Sequence, residues 1–326
     1  MRRLVCREFA DPDQLVVEDV DALEPRPGSV VVDVAAAGVN YVDALLVQGR
    51  YQIKPPLPFT PGTEVAGTVS AVGDGVTHWA IGDRVLATTN AGGFSEQVLV
   101  RESGALAVPE GLSLEQAAGF LQSYGTMFYA YTRRTTVGPD DTVLVLGAGG
   151  GIGLAAVDLA KAMGARVIAA ASSPQKLAAA EAAGADQTID YQRDDLKVRA
   201  RELAAVGGGA VTLVVDPVGG AHAEAALRAV GWGGRYLVIG FAGGPIPKIP
   251  LNLVLLNSRT LIGIEWGAWV ARDPDGNRAM LGELLELAGS GALHPAEPAV
   301  RPLAEAGAVL TDLLERRVSG KVVLVP

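Results

Sequence analysis

The pattern of hydrophobic and polar positions changes along the chain, from short separated runs to a regular alternation that begins near Gly125. Before that point, β-branched runs are separated by turn signals such as Pro-Arg-Pro-Gly and Gly-Asp-Gly, which is typical of strands. The predicted strands are Arg3 to Phe9, Val16 to Asp19, Val30 to Ala35, Glu64 to Val72, Arg84 to Ala87 and Glu96 to Val100. Asn40 to Gln48 has helical character, and Ser113 with Gln116 forms a capping box that opens a helix. We therefore expect a small irregular β-barrel in this region.

From Gly125 onward, strand-like and helix-like segments alternate. The predicted strands are Thr142 to Leu146, Arg166 to Ala171, Gln187 to Asp190, Val211 to Val215, Arg235 to Ile239 and Leu261 to Ile264. The predicted helices between and after them lie near 152–163, 174–183, 194–205, 221–230 and 277–288. This predicts an α/β fold, a doubly wound parallel sheet with strand order 3-2-1-4-5-6 and a ligand outside the carboxyl ends of the strands. A last strand, Lys321 to Val325, is expected to rejoin the first domain.

The first βα unit, Asp141 to Gly164, joins a buried strand, a glycine turn and a helix without a spare residue. Apolar residues recur at helical spacing, and Asp158 and Lys161 are expected on the opposite, exposed face. The turn contains Ala148-x-Gly150-x-x-Gly153, a dinucleotide fingerprint with alanine in place of its first glycine. Gly151 and Ile152 begin the helix, whose free N–H groups would face a pyrophosphate. The alternative is a tight strand-to-helix turn that binds nothing.

The end of the second strand indicates which dinucleotide is preferred. An acidic residue that would bind the ribose 2′-hydroxyl of NAD is absent, because the strand ends Ala170-Ala171-Ser172-Ser173. Ser172, Ser173 and Lys176 instead offer hydroxyls and a cation for a 2′-phosphate, and Tyr191 could add a donor. The sequence therefore favours NADPH. The alternative is that Ser-Ser-Pro only caps a helix and Lys176 is solvated.

Composition limits the remaining choices. The 326 residues suggest two domains, and 49% hydrophobic with 19% charged residues is typical of a globular protein. A net charge of −9 argues against nucleic acid or an anionic membrane surface as partner, which leaves a small molecule. We expect no signal peptide and no membrane helix. A single cysteine, Cys6, allows no internal disulfide, so we expect a cytoplasmic protein.

Several longer motifs occur together: AAAGVNYVDALLVQGRY from Ala35, TPGTEVAG from Thr60, SYGTMFYA from Ser123, DPVGG from Asp216, VIGFAGG from Val238 and the closing GKVVLVP. Through nearly its whole length the chain resembles a zinc-free medium-chain dehydrogenase/reductase of the NADPH:quinone oxidoreductase (zeta-crystallin-like) family. The resemblance implies a GroES-like catalytic domain over residues 1–121 and 293–326 and a Rossmann NADPH-binding domain over residues 122–292.

The chain departs from zinc-bearing relatives at their metal positions. It carries Asn40 and Thr63 where those enzymes place a cysteine and a histidine, and Glu64 is left without its neighbour. The four-cysteine zinc lobe is missing, and the three histidines, His78, His222 and His294, are scattered along the sequence. We therefore predict no metal site. The predicted acceptors are those that take hydride without a Lewis acid, namely quinones and activated enones.

The resemblance also implies roles for single residues. Asn40, Asp43 and Tyr51 would face the nicotinamide and the substrate, with Thr126 near the carboxamide. Tyr51 matches the proton donor of the related enoyl-thioester reductases, and a phenol is suited to a developing enolate oxygen. The alternatives are that Tyr51 only shapes the pocket while water supplies the proton, that Asp43 holds a helix, and that Asn40 is a turn residue.

Two aromatic residues and one sheet edge complete the expected site and assembly. Phe241 and Trp266 would flank a cofactor ring or a flat substrate, although such residues are often core. Leu253 to Ile264 is expected to end in an edge strand, and the resemblance implies that this edge pairs with a second copy to form a homodimer.

We therefore expect a zinc-independent reductase that transfers hydride from NADPH to quinones or α,β-unsaturated carbonyls. One alternative is an enoyl-thioester reductase, which needs a basic patch for the CoA phosphates; Arg50, Lys54 and Lys248 are its candidates. An alternative of another class is a non-catalytic NADPH-binding redox sensor or structural protein.

Overall fold

The computed structural model describes residues 1–326 and divides into two compact units. The first unit comprises Met1–Gln122 with Ala296–Pro326, and the second comprises Ser123–Pro295. Each has its own hydrophobic core. None of the helices is both long enough and apolar enough to cross a membrane.

The strands, in chain order, are β1 (Arg2–Val5), β2 (Val16–Asp19), β3 (Ser29–Val39), β4 (Glu64–Val72), β5 (Arg84–Thr88), β6 (Gln97–Arg101), β7 (Ala105–Ala107), β8 (Thr142–Leu146), β9 (Arg166–Ala171), β10 (Gln187–Asp190), β11 (Val211–Asp216), β12 (Val230–Val238), β13 (Thr260–Gly263), β14 (Ala299–Pro302) and β15 (Val322–Val325). The α-helices are α1 (Tyr41–Val47), α2 (Leu114–Ala118), α3 (Thr126–Tyr129), α4 (Gly151–Ala162), α5 (Pro174–Ala182), α6 (Leu196–Val206), α7 (His222–Ala229), α8 (Asn252–Leu255), α9 (Trp266–Arg272), α10 (Pro274–Gly289) and α11 (Ala306–Leu314).

The first unit is built on a seven-stranded sheet in the order β14-β15-β3-β4-β5-β7, with β6 paired to β3. All of its pairings are antiparallel except β14 with β15. The long strand β3 changes register twice against β4, between Val31 and Val32 and between Val34 and Ala36. Such bulges bend a strand, which allows one strand to pair with β4, β6 and β15. As predicted, the C-terminal strand rejoins this unit.

The second unit contains a six-stranded parallel sheet in the order β10-β9-β8-β11-β12-β13. Renumbered by their sequence order, these strands read 3-2-1-4-5-6, so the predicted doubly wound topology is confirmed. Every residue of β8 is buried, as expected for a parallel strand covered on both faces. The predicted bounds of β8, β9 and β10 are those of the structure.

Other predictions need correction. Asp158 does not lie on an exposed face of α4: it is 3% exposed, because its carboxylate accepts hydrogen bonds from Tyr124 and His294. β1 ends at Val5 and not at Phe9, whereas β12 begins at Val230, inside the predicted helix. Strands β7 and β14, helices α9 and α11, and the helical segment from Leu121 to Arg134 were not predicted.

Candidate functional site

The glycine turn of the second unit connects the buried end of β8 to the first turn of α4. Gly147 has φ +58°, a conformation that side chains disfavour, and a Cβ there would lie 2.7 Å from Val218 Cγ2. The glycine that makes the tight turn is therefore Gly147, one position before the alanine of the fingerprint. The Ala148 amide donates to the Ala170 carbonyl at 3.1 Å, which holds the turn against the end of β9.

Gly150 and Gly153 differ in what a side chain would meet. At Gly153 a Cβ would lie 2.3 Å from the Gly147 carbonyl oxygen and 2.6 Å from Ala148 Cα, so only glycine allows the helix to pack on the turn. At Gly150 the nearest atom to a Cβ would be the Gly147 oxygen, at 3.6 Å. The space in front of Gly150 is open, as a backbone that approaches a ligand requires.

The N-terminus of α4 carries no side-chain cap. Its N-cap is Gly150, whereas α5, α6 and α10 are capped by Ser173, Asp195 and Asp273 respectively. The amides of the first turn, including those of Gly151 and Ile152, therefore have no capping oxygen. An anionic group is the expected partner of such a helix end, so the turn fits a pyrophosphate.

The beginning of α5 lies against the same turn. A Cβ on Gly149 would come within 2.4 Å of Lys176 Cβ. β9 ends at Ala171 without an acidic residue. The Ser173 hydroxyl caps α5 by accepting a hydrogen bond from the Lys176 amide at 3.4 Å, which is the helix-cap alternative. The same hydroxyl can still donate its proton, so the cap is compatible with binding a phosphate.

The remaining predicted cofactor residues lie at several places in the second unit. The Tyr191 ring packs on His222, with the ring centroids 4.3 Å apart. Phe241 lies beside Gly219, where a Cβ would come within 2.8 Å of Phe241 Cδ1.

Trp266 and Thr126 are close in the structure although far apart in sequence. Trp266 is 8% exposed, and its indole N–H donates to Asn277 Oδ1 at 2.9 Å. A Cβ on Gly125 would lie 2.7 Å from Trp266 Cη2, so the ring packs beside the residue that precedes Thr126. Trp266 is thus part of the packing that supports α3, which Thr126 begins.

In the first unit, Asn40 and Asp43 form the start of α1. The Asn40 amide donates to Asp43 Oδ2 at 2.8 Å, and the Asp43 amide donates to the Asn40 carbonyl at 3.0 Å. Asp43 therefore does hold a helix, as the alternative had it, and Asn40 is the N-cap residue. Asn40 also lies beside Thr63, since its Nδ2 is 3.4 Å from Thr63 Oγ1.

A largely buried lysine that the sequence pattern did not indicate joins this group. Lys321 Nζ donates to Asn40 Oδ1 and to Glu64 Oε1, each at 2.6 Å. Asn40 Nδ2 also donates to Glu64 Oε1 at 2.9 Å, and the Gln122 amide donates to Glu64 Oε2 at 2.9 Å. The side chain of Lys321 is 11% exposed and that of Glu64 is 1% exposed, so this ion pair is shielded from water. It fixes which way the Asn40 carboxamide points.

The Asp43 carboxyl is fully buried beside this ion pair. Burial raises the pKa of Asp43 to about 7, against the opposing effects of the Asn40 amide, the Thr63 hydroxyl and the Lys321 ammonium. The charge of Glu64 raises it further. Its Oδ1 has no hydrogen-bond partner in the protein. Near neutral pH the carboxyl is therefore only partly ionised.

Tyr51 follows α1 and is partly buried against the core of the first unit. Arg50 and Lys54 are exposed, and Lys54 Nζ lies 5.9 Å from the centroid of the Phe9 ring. Lys248 is an exposed residue of the second unit.

Comparisons with known proteins identify the family. Residues 26–110 match the family model described as alcohol dehydrogenase GroES-like domain, and residues 151–285 match the one described as zinc-binding dehydrogenase. Quinone oxidoreductase-like protein 2 of Rattus norvegicus is 37% identical over 324 residues, which cover 99% of this chain and 91% of the rat protein. Quinone oxidoreductase of Pseudomonas aeruginosa is 33% identical and covers 100% of this chain and 99% of its own length. The chain belongs to the quinone oxidoreductase family.

A solved structure agrees with this membership. The Escherichia coli quinone oxidoreductase complexed with NADPH has a TM-score of 0.88 and 31% identity, and the match covers 100% of both chains. The chain is thus an oxidoreductase of the quinone oxidoreductase family, with GroES-like and Rossmann-type domains. Although one family model is named for zinc, the structure brings together no group of three His, Cys, Asp or Glu side chains that could hold a metal ion. At Asn40 and Glu64 a positive charge is supplied by Lys321.

Proposed function

We propose that this family member transfers hydride from NADPH to quinones or activated α,β-unsaturated carbonyls, without a metal, in the cytoplasm. The observation that carries the choice of NADPH is the contact between the glycine turn and the first turn of α5. There a cationic residue, Lys176, packs on Gly149, and the preceding strand ends in alanine and serine in place of an acid. A 2′-phosphate gains from such a cation, whereas an acid would repel it.

Each proposed role follows from the chemistry of the side chain. The bound cofactor supplies the hydride, and the uncapped start of α4 binds its pyrophosphate. The Tyr51 phenol donates a hydrogen bond, or a proton, to the acceptor oxygen that gains charge. Lys321 and Glu64 hold the Asn40 carboxamide in one orientation, which keeps this face of the site constant between turnovers.

Cofactor affinities test the first half of the proposal. NADPH should bind more tightly than NADH. Lys176→Ala should lower the affinity for NADPH by tenfold or more and change the affinity for NADH little. The reason is that a hydrogen bond to a charged group contributes about 1.5–3 kcal/mol. Gln175→Ala, the exposed preceding residue of α5, is the matched control. Equal affinity of the unmutated protein for NADPH and NADH would contradict the preference.

An acceptor panel tests the second half. Quinones, enones, enoyl thioesters and simple alcohols are offered with NADPH or NADP⁺, with and without a chelator. We expect turnover of quinones and enones that the chelator leaves intact. Preferred use of enoyl thioesters would favour the reductase alternative, and binding of NADPH without turnover of any acceptor would favour a sensor or structural role.

We further propose a homodimer that forms through the edge of the Rossmann sheet. β13 is the edge strand, and the preceding segment exposes Leu251, Leu255 and Leu256, which are 75%, 77% and 65% exposed. Large apolar side chains clustered beside an unpaired strand edge are typical of a surface that pairs with another chain. A second copy of this chain satisfies both features in one two-fold contact.

A further inference from the structure

The chain passes between its two units twice, after Gln122 and after Pro295. Within the second unit, the residues next to both crossings bind the same carboxylate. The Tyr124 hydroxyl donates to Asp158 Oδ2 at 2.7 Å, and the backbone amide of His294 donates to the same oxygen at 2.8 Å. His294 Nδ1 lies 3.7 Å from Asp158 Oδ1. Asp158 thus anchors two segments that are far apart in sequence.

The position of Asp158 has no explanation in the packing of its helix. It lies inside α4 among alanine, valine and leucine residues and is 3% exposed. A buried carboxylate is costly unless hydrogen bonds compensate it, and here the two donors come from the two crossing segments. Burial and the charge of Asp158 hold the pKa of Tyr124 well above its usual value, so the phenol keeps its proton and remains the donor.

The first crossing segment has an irregular helical geometry. Leu121–Gly125 is π-helical, and such wide turns are frequent where a helix carries a functional residue. Gly125 packs against Trp266, and Thr126 follows at once. Only Gly125 therefore separates Thr126 from Tyr124, whose side chain is hydrogen-bonded to Asp158 of α4. A shift at Tyr124 would move Thr126 with it.

We propose that Asp158 is a positioning residue that links the cofactor helix to both crossing segments. Through Tyr124 it sets the position of Thr126, and through the His294 amide it ties the second crossing to the same point of α4. The proposal rests on the proposed function, since it takes NADPH to bind at the N-terminus of α4 and Thr126 to lie beside its nicotinamide carboxamide. It implies that the nicotinamide half of the cofactor depends on Asp158 and that the adenosine half does not.

Two tyrosines on the same helical stretch provide a matched pair of variants. Tyr124→Phe removes the bond to Asp158, and Tyr131→Phe removes a similar buried phenol bond, from Tyr131 to the Ala156 carbonyl of the same helix. The probes are NADPH and 2′,5′-ADP, which lacks the nicotinamide. We expect Tyr124→Phe to lower the affinity for NADPH about tenfold, the scale of one hydrogen bond to a charged group. The affinity for 2′,5′-ADP should stay within about twofold of that of the unmutated protein. Tyr131→Phe should leave the affinities for both probes unchanged.

Amide hydrogen exchange of the ligand-free protein tests the link between the crossings. In Tyr124→Phe, exchange should rise in residues 292–296 as well as in 121–126, because both segments share one anchor. Asp158→Ala should do the same more strongly, since it removes the oxygen that accepts from both donors. Unchanged exchange at 292–296, equal weakening of both probes, or the same pattern in Tyr131→Phe would overturn the proposal. If the unmutated protein binds neither probe, the proposed function fails, while the exchange result still decides whether Asp158 joins the two crossings.

Discussion

At the scale of single residues, the ion pair of Lys321 and Glu64 determines part of the electrostatics of the candidate site. Both charges lie away from water, and each of the two carboxylate oxygens of Glu64 accepts a hydrogen bond. Removing one partner of a buried pair leaves an uncompensated charge, whereas an intact pair is often nearly neutral for stability. The pair therefore serves to orient Asn40 and to set the electrostatic surroundings of Asp43, and is weak evidence for added stability.

Stability should depend on pH through Asp43. Its pKa is about 7 in the folded protein and about 3.9 in an unfolded chain, so between these values the folded state holds a proton that the unfolded state has lost. Its contribution is thus fully present below about pH 4 and is lost as the pH rises through about 7, at about 1.4 kcal/mol per pH unit. Asp43→Asn cannot titrate. Its free energy of unfolding relative to the unmutated protein should rise by a few kcal/mol between about pH 4.5 and 7.5, as measured by urea denaturation.

The control for this experiment is Asp33→Asn, an exposed aspartate of β3. It should follow the pH profile of the unmutated protein. A constant difference between Asp43→Asn and the unmutated protein across the pH range would mean that Asp43 is ionised throughout.

The donor role proposed for Tyr51 predicts different effects of its loss on quinones and on enones. Hydride transfer to a quinone yields a stabilised aromatic oxyanion, whereas an enone becomes a more basic enolate that gains more from a donor. Tyr51→Phe should therefore lower kcat/KM by only a few-fold for a good quinone and by roughly 10²-fold for an enone. Because the ring is kept, the contrast isolates the hydroxyl. An equal loss for both acceptors would mean that Tyr51 only shapes the pocket.

At the scale of elements, the sequence predicted those strands and helix caps that a local pattern of residues determines. The strands β8, β9 and β10 are short apolar runs between turn signals, and their bounds agree with the structure to the residue. The capping box of Ser113 and Gln116 is also present. The three residues of β7 and the fully exposed β14 carry no such alternation, so pattern reasoning had nothing to detect there.

Contacts between distant residues could not be predicted. Lys321 lies 257 positions from Glu64, and His294 lies 136 positions from Asp158. Helical periodicity placed Asp158 outside because it treats every aspartate as solvated, and it contains no information on a donor from another segment. A buried polar position becomes visible only when its hydrogen-bond partners are known.

The geometry of the glycine turn predicts different effects for Gly150→Ala and Gly153→Ala. Gly150→Ala meets nothing closer than 3.6 Å and has an extended backbone, so folding should be unaffected, but its methyl group occupies the space in front of the helix end. We expect unchanged thermal stability and a loss of NADPH affinity of tenfold or more. Gly153→Ala forces a Cβ to 2.3 Å from the Gly147 oxygen, so stability should also fall, by about 1–3 kcal/mol. Calorimetry and cofactor titration separate the two; equal loss of stability in both variants would contradict the assignment.

At the scale of the whole molecule, the distribution of exposed apolar residues is uneven. The segment that leads into β13 exposes three leucines, and Leu261 within β13 is 38% exposed. Elsewhere the large exposed residues are mostly isolated, such as Ile81 of the first unit. Scattered exposure is normal, whereas a cluster beside an open strand edge exposes both apolar surface and unpaired backbone groups. A second copy that pairs along β13 would cover both at once.

The proposed dimer predicts that substitutions on this surface lower the molecular mass of the protein in solution from that of a dimer to that of a monomer. The double substitution Leu255→Asp and Leu256→Asp would place four carboxylates in a two-fold contact, because each copy contributes the same surface. Burying unpaired charges is strongly unfavourable, so the variant should be monomeric by light scattering at a concentration at which the unmutated protein is a dimer. Ile81→Asp, an equally drastic change of an exposed residue in the first unit, should leave the mass unchanged. Since Leu255 of α8 and the next residue, Leu256, are exposed in the isolated chain, the double variant should keep its fold, which circular dichroism can verify. A monomeric unmutated protein would contradict the proposed dimer, and a dimeric double variant would place the contact on another surface.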